Sequence, residues 1–233
     1  SDQWGNITGG TELTRRMNGN KAFGLTLPLI TKYDGTKFGK TESGTIWLSA
    51  NKTSPYAFYQ FWLQTADADV YRFLKYFTFL SVEEIDQLEE ADKVRQGRPE
   101  AQGVLAREVT KLVHGEAGLE AAQRITEALF SGNADQLSES DYEQLSQDGL
   151  PTTSLDLNNL ADLPLTQLLS EADMGTGKQV KDALQRNAVI VNGEAQGLDA
   201  IAKSADVFAA EKARFNKYFL VKLGKKKHQL FTI

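Results

Sequence analysis

Cysteine is absent from the 233 residues. That excludes disulfides and thiolate metal sites, and it fits a reducing compartment. Histidine is almost absent. His114 and His228 are the only two and lie far apart in sequence, which argues against a His-built metal site; none is expected. No apolar run approaches the ~20 residues of a membrane span, and no signal-peptide pattern is visible, so the chain reads as cytoplasmic with no membrane partner. No internal repeat is evident. Gly175-Thr176-Gly177-Lys178 is not a phosphate loop, because the spacing is wrong and Gln179 stands where the hydroxyl should be.

What is present is ordinary in total and uneven in distribution. Hydrophobic residues make up 41 % and charged residues 24 %, as in soluble globular chains. The length suits one large domain or two to three small ones of roughly 100–200 residues. The net charge of −5 hides three different segments. Residues 1–80 carry nine Lys and Arg against six Asp and Glu, net +3. Residues 81–164 carry six against 18, net −12, and residues 165–233 carry eleven against seven, net +4. A basic end of this kind allows an RNA partner; nothing in the pattern points to DNA.

The most informative stretch is Thr36-Lys37-Phe38-Gly39-Lys40-Thr41. Asp34-Gly35 precede it and Gly44 follows, so it reads as a turn-rich loop rather than a helix. Two flexible ammonium groups and a hydroxyl suit a polyphosphate whose charge moves during reaction; a solvated surface loop is the plain alternative. Leu25, Leu27 and Leu29 alternate ahead of the loop, predicting a strand with one face in a core, although Pro28 makes a central ladder position doubtful. Thr45 to Leu48 reads as a strand leaving it. Near the start, Asn6, Thr8, Gly9 and Gly10 read as a polar turn and residues 11–17 as a short helix. Asp2 and Gln3 are an acceptor and an amide suited to ribose hydroxyls or an ammonium, or else helix caps.

From residue 50 the pattern is helical. Thr53-Ser54-Pro55 is a helix start. The aromatic run Tyr56 to Leu63 reads as core rather than as a base-stacking platform. Further helices are predicted over 67–79, from the capping box Ser81–Glu84, and on both sides of His114-Gly115 up to Ser131-Gly132. His114 is read as a charge or hydrogen bonder at a helix C-terminus. Residues 138–147 form another short helix, and the turn-rich 148–161 reads as a linker. From Leu165 the order is helix, helix, strand, with Asn192-Gly193 as a hairpin signal. Lys225-Lys226-Lys227 falls on a second hairpin turn, there to reach RNA phosphates or to keep a sheet edge soluble. This last unit is expected to fold by itself.

Lys37-Phe38-Gly39-Lys40-Thr41 resembles the second signature of class I aminoacyl-tRNA synthetases. With Thr31 to Gly35 ahead of it, and Ser1 to Ile7 at the chain start, the resemblance is to the bacterial tyrosyl-tRNA synthetases and extends over the whole chain. The C-terminal helix-helix-strand order is similar to the RNA-binding module named after small-subunit ribosomal protein S-four. The resemblance implies a multidomain fold, α/β plus α plus α+β. Residues 1–49 would end a Rossmann-type catalytic domain, 50–147 form a helical anticodon-side domain, 148–161 the linker and 162–233 the S-four-type domain. The other class I signature, His-x-Gly-His, is not present, so the upstream half of the catalytic domain is expected to be missing and the chain alone to be inactive.

The resemblance further implies attachment of tyrosine to tRNA-Tyr through an adenylate, with ATP and Mg²⁺ entering as substrate and no bound prosthetic group. Lys37, Lys40 and Thr41 would serve the leaving phosphates. Asp2, Gln3, Leu29, Ile30, Gly39 and Lys40 would face ATP or the adenylate. Lys178, Lys181, Arg186, Lys225, Lys226 and Lys227 would meet tRNA, with scattered help from Arg72, Lys75, Arg107, Lys111 and Arg124. A homodimer through the upstream half is expected. The rivals are a non-catalytic RNA-binding protein with a decayed nucleotide loop, and the related tryptophan enzyme.

Overall fold

The computed structural model describes every residue except Ser1, Glu42, Ser43, Asn133, Asp162 and Lys203; for Asp2, Lys40, Thr41, Ala200 and Ala202 it describes the backbone alone. The chain divides into two units, residues 1–42 and 43–233.

The first unit opens with helix α1, Asp2–Asn18. The turn predicted at 6–10 therefore lies inside a helix. The polar residues do not break it because their hydroxyls bond back to carbonyls one turn earlier: Thr8 to Trp4 (3.1 Å), Thr11 to Thr8 (2.9 Å) and Thr14 to Gly10 (2.9 Å). α1 stops where Gly19 turns left-handed, φ +70°, and its N–H meets the Arg15 carbonyl at 3.1 Å. Residues 19–30 have no regular structure. The predicted strand is not there, and Leu25, Leu27 and Leu29 are 85 %, 82 % and 70 % exposed. Among the described residues no strand pairs with this segment, so its alternation has no sheet to bury against, and Pro28 lacks a ladder donor. A small hairpin then leads to the two-residue strand β1, Lys40–Thr41.

The second unit starts with an equally short strand β2, Gly44–Thr45; Trp47 and Leu48 beyond it are exposed rather than in a strand. Helices α2 (Pro55–Leu63), α3 (Asp67–Phe77), α4 (Val82–Val94), α5 (Ala101–Ser131) and α6 (Glu139–Gln144) follow. Ser54 caps α2 with Pro55 in its first turn, and Ser81 and Glu84 make the predicted capping box. Phe58, Trp62, Val70, Phe73 and Leu74 are buried, so the aromatic run is core. α5 breaks at Gly115, φ +72° and ψ −179°, and ends on left-handed Gly132. His114 is the last residue before that break, as expected, but its half-buried ring packs edge-on against Phe58, centroids 4.8 Å apart, and burial works against its carrying a charge.

The remainder is strand β3 (Thr152–Ser154), helices α7 (Leu165–Glu171) and α8 (Gly177–Gln185), strands β4 (Val189–Val191) and β5 (Glu194–Gln196), the short helix α9 (Ser204–Val207), and the long hairpin β6 (Tyr218–Leu223) and β7 (Lys227–Thr232). The strands form one sheet in the order β3-β7-β6-β4-β5. Asn192 and Gly193, both with positive φ, make the expected β4–β5 turn. Residues 152–154, in the stretch read as a linker, are an outer strand paired parallel to β7, with Thr153 opposite Phe231.

Both faces of the sheet's central strands β6 and β7 are buried over most of their length. Phe219, Val221 and Phe231 pack with Leu168, Leu169, Val180 and Leu184 of α7 and α8. Tyr218, Leu220 and Leu230 pack with Tyr56, Ile125, Leu129, Tyr142 and Leu145. The second set corrects the expectation of a self-sufficient C-terminal unit. The sheet completes its core on the helices, which is why Tyr218-Phe219-Leu220-Val221 is an unbroken apolar run rather than an alternating one.

Candidate phosphate loop and RNA-facing groove

In the first unit the geometry centres on a hairpin. Phe38 N–H donates to the Ile30 carbonyl (3.3 Å), Thr31 bridges Lys37, and Lys32 N–H donates to the Thr36 carbonyl (2.8 Å). Gly35 closes the turn at φ +81°. Asp34 accepts from the Thr36 N–H and hydroxyl at 2.9 and 2.6 Å, and the hydroxyl, then the N–H, holds its carboxyl below the usual range. Lys37 leaves this hairpin exposed, and Gly39 follows in a left-handed conformation, φ +87°. The hairpin thus brings Ile30 beside the Phe38-Gly39 step. Leu29 is exposed, and so is Gln3 on α1. The side chains of Asp2, Lys40 and Thr41, three of the expected site residues, lie outside the described ones.

In the second unit a groove of about 430 Å³ runs between α8 and the β6–β7 turn, lined by Gln179, Asp182, Arg186, Leu223, Gly224 and Lys227 among others. The two sets of cations expected to meet RNA therefore meet here, Arg186 from the helix and Lys227 from the hairpin. Lys225 and Lys226 are exposed at the turn, where Gly224 has φ +65°. Lys227 donates to the Asp173 carbonyl, and Arg186 Nε to the Asp182 carbonyl at 3.1 Å. Lys178 and Lys181 are exposed and do not line the groove; helical spacing puts Lys178 one turn before the groove-lining Asp182, on its side of α8, and turns Lys181 away from it. Gln179, which stands where a phosphate loop would have its hydroxyl, instead forms the capping box of α8 with Thr176.

The basic residues of the helical region are mostly engaged elsewhere. Arg72 pairs with buried Asp69, Lys75 with Asp86 at 2.9 Å, and Lys111 with Glu116 at 2.6 Å. Arg124 grips Asp141 with two bonds of 2.8 Å. Burial pushes the fully buried Asp141 carboxyl up, but the Arg124 guanidinium and the Ser138 N–H and hydroxyl outweigh it and hold the carboxyl below its ordinary value. These cations already have carboxylate partners, and only those of Arg72 and Arg124 are buried; Arg107 has no ion pair among the described residues. The same residues hold no cluster of three or more metal-ligating His, Cys, Asp or Glu side chains, and no helix long and apolar enough to cross a membrane.

One feature has almost no trace in the sequence. After α6 the chain makes a π turn, Leu145–Gly149, whose Gln147 and Asp148 side chains reach back to the Ala50 carbonyl and the Ser54 N–H. Only the Gly149-Leu150-Pro151 punctuation hints at a change there.

Residues 1–131 match the family model described as tRNA synthetases class I (W and Y). Over 232 residues the chain is 59 % identical to the tyrosine–tRNA ligase of Aliivibrio fischeri, covering 99 % of this chain and 53 % of that protein. It is 55 % identical over 230 residues to the tyrosine–tRNA ligase of Pectobacterium atrosepticum, covering 99 % and 52 %. The chain spans about half the length of the curated relatives it matches. Among solved structures, a C-terminally truncated Aspergillus nidulans mitochondrial tyrosyl-tRNA synthetase is 33 % identical with a TM-score of 0.43, covering 56 % of this chain and 38 % of that one.

Proposed function

The chain belongs to the class I tRNA synthetases of the W and Y group, and from that premise we propose that it serves tyrosine–tRNA ligation as the part carrying the second signature loop, the helical tRNA-binding region and the C-terminal RNA module. The observation that carries this reading is 59 % identity along 99 % of the chain to a tyrosine–tRNA ligase. The same kind of relative favours tyrosine over tryptophan.

In the proposed reaction a tyrosine carboxylate oxygen attacks the α-phosphorus of magnesium-bound ATP. The bond to the bridging oxygen breaks, giving tyrosyl-adenylate and pyrophosphate. A hydroxyl of the terminal adenosine of tRNA-Tyr then attacks the tyrosyl carbonyl and AMP leaves. Transfer at phosphorus needs alignment and charge stabilisation more than acid-base chemistry. Lys37 and Lys40 meet the β- and γ-phosphates as negative charge grows on them, and the Thr41 hydroxyl adds a hydrogen bond. Gly39, left-handed at φ +87°, lets the loop bend between the two lysines. Asp2 and Gln3 face the ribose and tyrosyl groups, and the backbone at Leu29-Ile30 lies along the adenine. The exposed Leu25, Leu27 and Leu29 are then covered by the rest of the nucleotide-binding domain. On the RNA side, Arg186, Lys225, Lys226 and Lys227 bind phosphates of tRNA-Tyr, with Lys178 and Lys181 beside them. The working enzyme is a cytoplasmic homodimer.

The test is Lys40→Ala in a complete ligase bearing this segment. Losing one donor to transition-state charge costs about 10²–10³ in rate, so ATP–pyrophosphate exchange should fall by that factor while tyrosine affinity holds. Equal losses in affinity and turnover would make Lys40 a general binding residue and defeat the assigned role.

A further inference from the structure

Asn-Gly occurs twice in the chain, at Asn18-Gly19 and Asn192-Gly193. In this dipeptide the glycine nitrogen, with no side chain to crowd it, can attack the side-chain amide carbon of the asparagine. A C–N bond forms, the bond to the amide nitrogen breaks, and ammonia leaves behind a cyclic imide. Water then opens the imide at either carbonyl, giving aspartate or its β-linked isomer. The two pairs share this chemistry, and the fold treats them differently. Asn18 is exposed at the last position of α1, and its side chain makes no hydrogen bond among the described residues. Asn192, half-buried at the β4–β5 turn, is bonded through both polar atoms of its side chain. Nδ2 donates to the carbonyls of Lys212 (2.9 Å) and Tyr218 (3.4 Å), and Oδ1 accepts from Leu220 N–H (2.8 Å).

The Asn192 N–H in turn donates to the Leu220 carbonyl at 2.9 Å. The last regular β4–β6 pair is Val191 opposite Val221. Asn192 therefore extends the ladder by one step, with a side-chain oxygen in place of a backbone one, and ties β6 to the short 3₁₀ turn Ala210–Lys212. While these bonds hold, the amide carbon is kept against β6 and cannot swing onto the Gly193 nitrogen, so attack waits for the hairpin to open. The product cannot restore them all. Either form of aspartate has an oxygen where Nδ2 stood, and that oxygen faces two carbonyls that offer no proton. Asn192 also borders a cavity of about 260 Å³ shared with Glu194 and Glu211, so the new negative charge joins two others. The cations on that cavity are held elsewhere: the Lys212 ammonium donates to the Asp206 carbonyl at 2.7 Å, and Arg214 pairs with Asp135.

We propose that Asn192-Gly193 is a one-way deamidation site: protected while Asn192 is latched to β6, converted when the hairpin opens, and unable to relatch afterwards. Conversion loosens the β4–β5 edge of the C-terminal sheet.

The experiment incubates the 233-residue chain at mildly alkaline pH, in native buffer and in guanidinium chloride, and follows both Asn-Gly pairs by peptide mass mapping. At Asn192 the native rate should lie about ten- to a hundredfold below the denatured rate, the size of one or two net hydrogen bonds. At Asn18, which has no latch, the two rates should lie much closer together. Asn192→Asp, made directly, should speed amide hydrogen exchange across residues 189–196 and lower the melting midpoint by a few degrees. If that variant does not fold, the same exchange is read on the chain after it has converted in native buffer. Native conversion at Asn192 as fast as in denaturant overturns the latch. No native conversion there over about ten half-lives of the denatured sample overturns Asn192-Gly193 as a site of the folded chain. Unchanged exchange and an unchanged midpoint after conversion overturn the one-way step.

Discussion

Tyr142 of α6 and Tyr218, the first residue of β6, stack with ring centroids 5.3 Å apart and planes inclined by 21°. Phe215 meets Tyr142 edge-on at 5.7 Å. Both tyrosines are almost fully buried, and they join the helical region to the C-terminal sheet.

The first prediction concerns that joint. The Tyr142 hydroxyl is buried without a hydrogen-bond partner, and burial pushes its pKa to about 12. Tyr142→Phe removes an unpaired polar group and keeps the stack, so it should leave stability unchanged or raise it by about 1 kcal/mol. Tyr142→Ala opens a cavity against Tyr218 and should cost about 3–5 kcal/mol. Urea unfolding of the two variants checks both signs. The same packing predicts that a peptide of residues 165–233 lacks cooperative unfolding, because it loses β3 and exposes Tyr218, Leu220 and Leu230; a sharp two-state melt would contradict this.

A second prediction follows from Arg124 and Asp141. Arg124→Ala strands a fully buried carboxylate and should cost about 3–5 kcal/mol. Adding Asp141→Asn to it should recover part of that loss, since the stranded charge is gone. The Asp141 carboxyl is held below its ordinary value in the folded protein. Its contribution is therefore present above the unfolded pKa of about 3.9 and lost as pH falls through the lower folded value. Acid titration of stability should show this loss in the parent and not in the double variant.

The third prediction lies in a higher pH window. Burial lowers the pKa of His114, packed on Phe58, and burial followed by the Lys222 ammonium lowers that of His228. A histidine with a depressed folded pKa takes up its proton more readily when unfolded. Stability should therefore be full above about pH 6.5 and fall as pH drops from there toward the folded values. His114→Phe keeps an aromatic ring against Phe58 and should flatten its share of that slope, measured by denaturant midpoints between pH 7.5 and 5.

Most helices are legible because their signals are local. Ser54-Pro55, Ser81 with Glu84, and Gly132 act through backbone groups within one turn, and any chain with those residues would offer them. The misreadings share the opposite cause. Leu25, Leu27 and Leu29 have the pattern of a strand, but a strand needs a neighbour, and among the described residues this chain offers none. Thr152 to Ser154 have no strand pattern and yet pair with β7, because β7 supplies an open edge. The loop signature is legible as a string, whereas the π turn after α6 depends on Asp148 meeting Ser54 across nearly a hundred residues. The groove between α8 and the hairpin is likewise a meeting of distant segments. Its cations can be picked out one by one along the chain, but that Arg186 and Lys227 share one space depends on how α8 packs against the β6–β7 turn.

The last prediction uses that sharing. If the groove binds the RNA backbone, affinity for tRNA should fall with salt, with log K losing about 0.7–0.9 per phosphate neutralised for each tenfold rise in salt. Changing Lys225, Lys226 and Lys227 together to Ala in the 233-residue chain should weaken binding and make the slope shallower. Arg186→Ala should do the same on a smaller scale. Because Arg186 and Lys227 line one groove, they can reach one phosphate, and the loss in an Arg186→Ala, Lys227→Ala pair should be less than the sum of the single losses. Lys181, on another side of α8, should add independently to either. Asp182 lines the same groove and repels phosphate, so Asp182→Asn should tighten binding slightly. Fluorescence titrations at four salt concentrations measure all of these. An unchanged affinity and slope in the triple lysine variant would leave those lysines guarding a sheet edge and move the RNA contact to the Lys178–Lys181 face of α8.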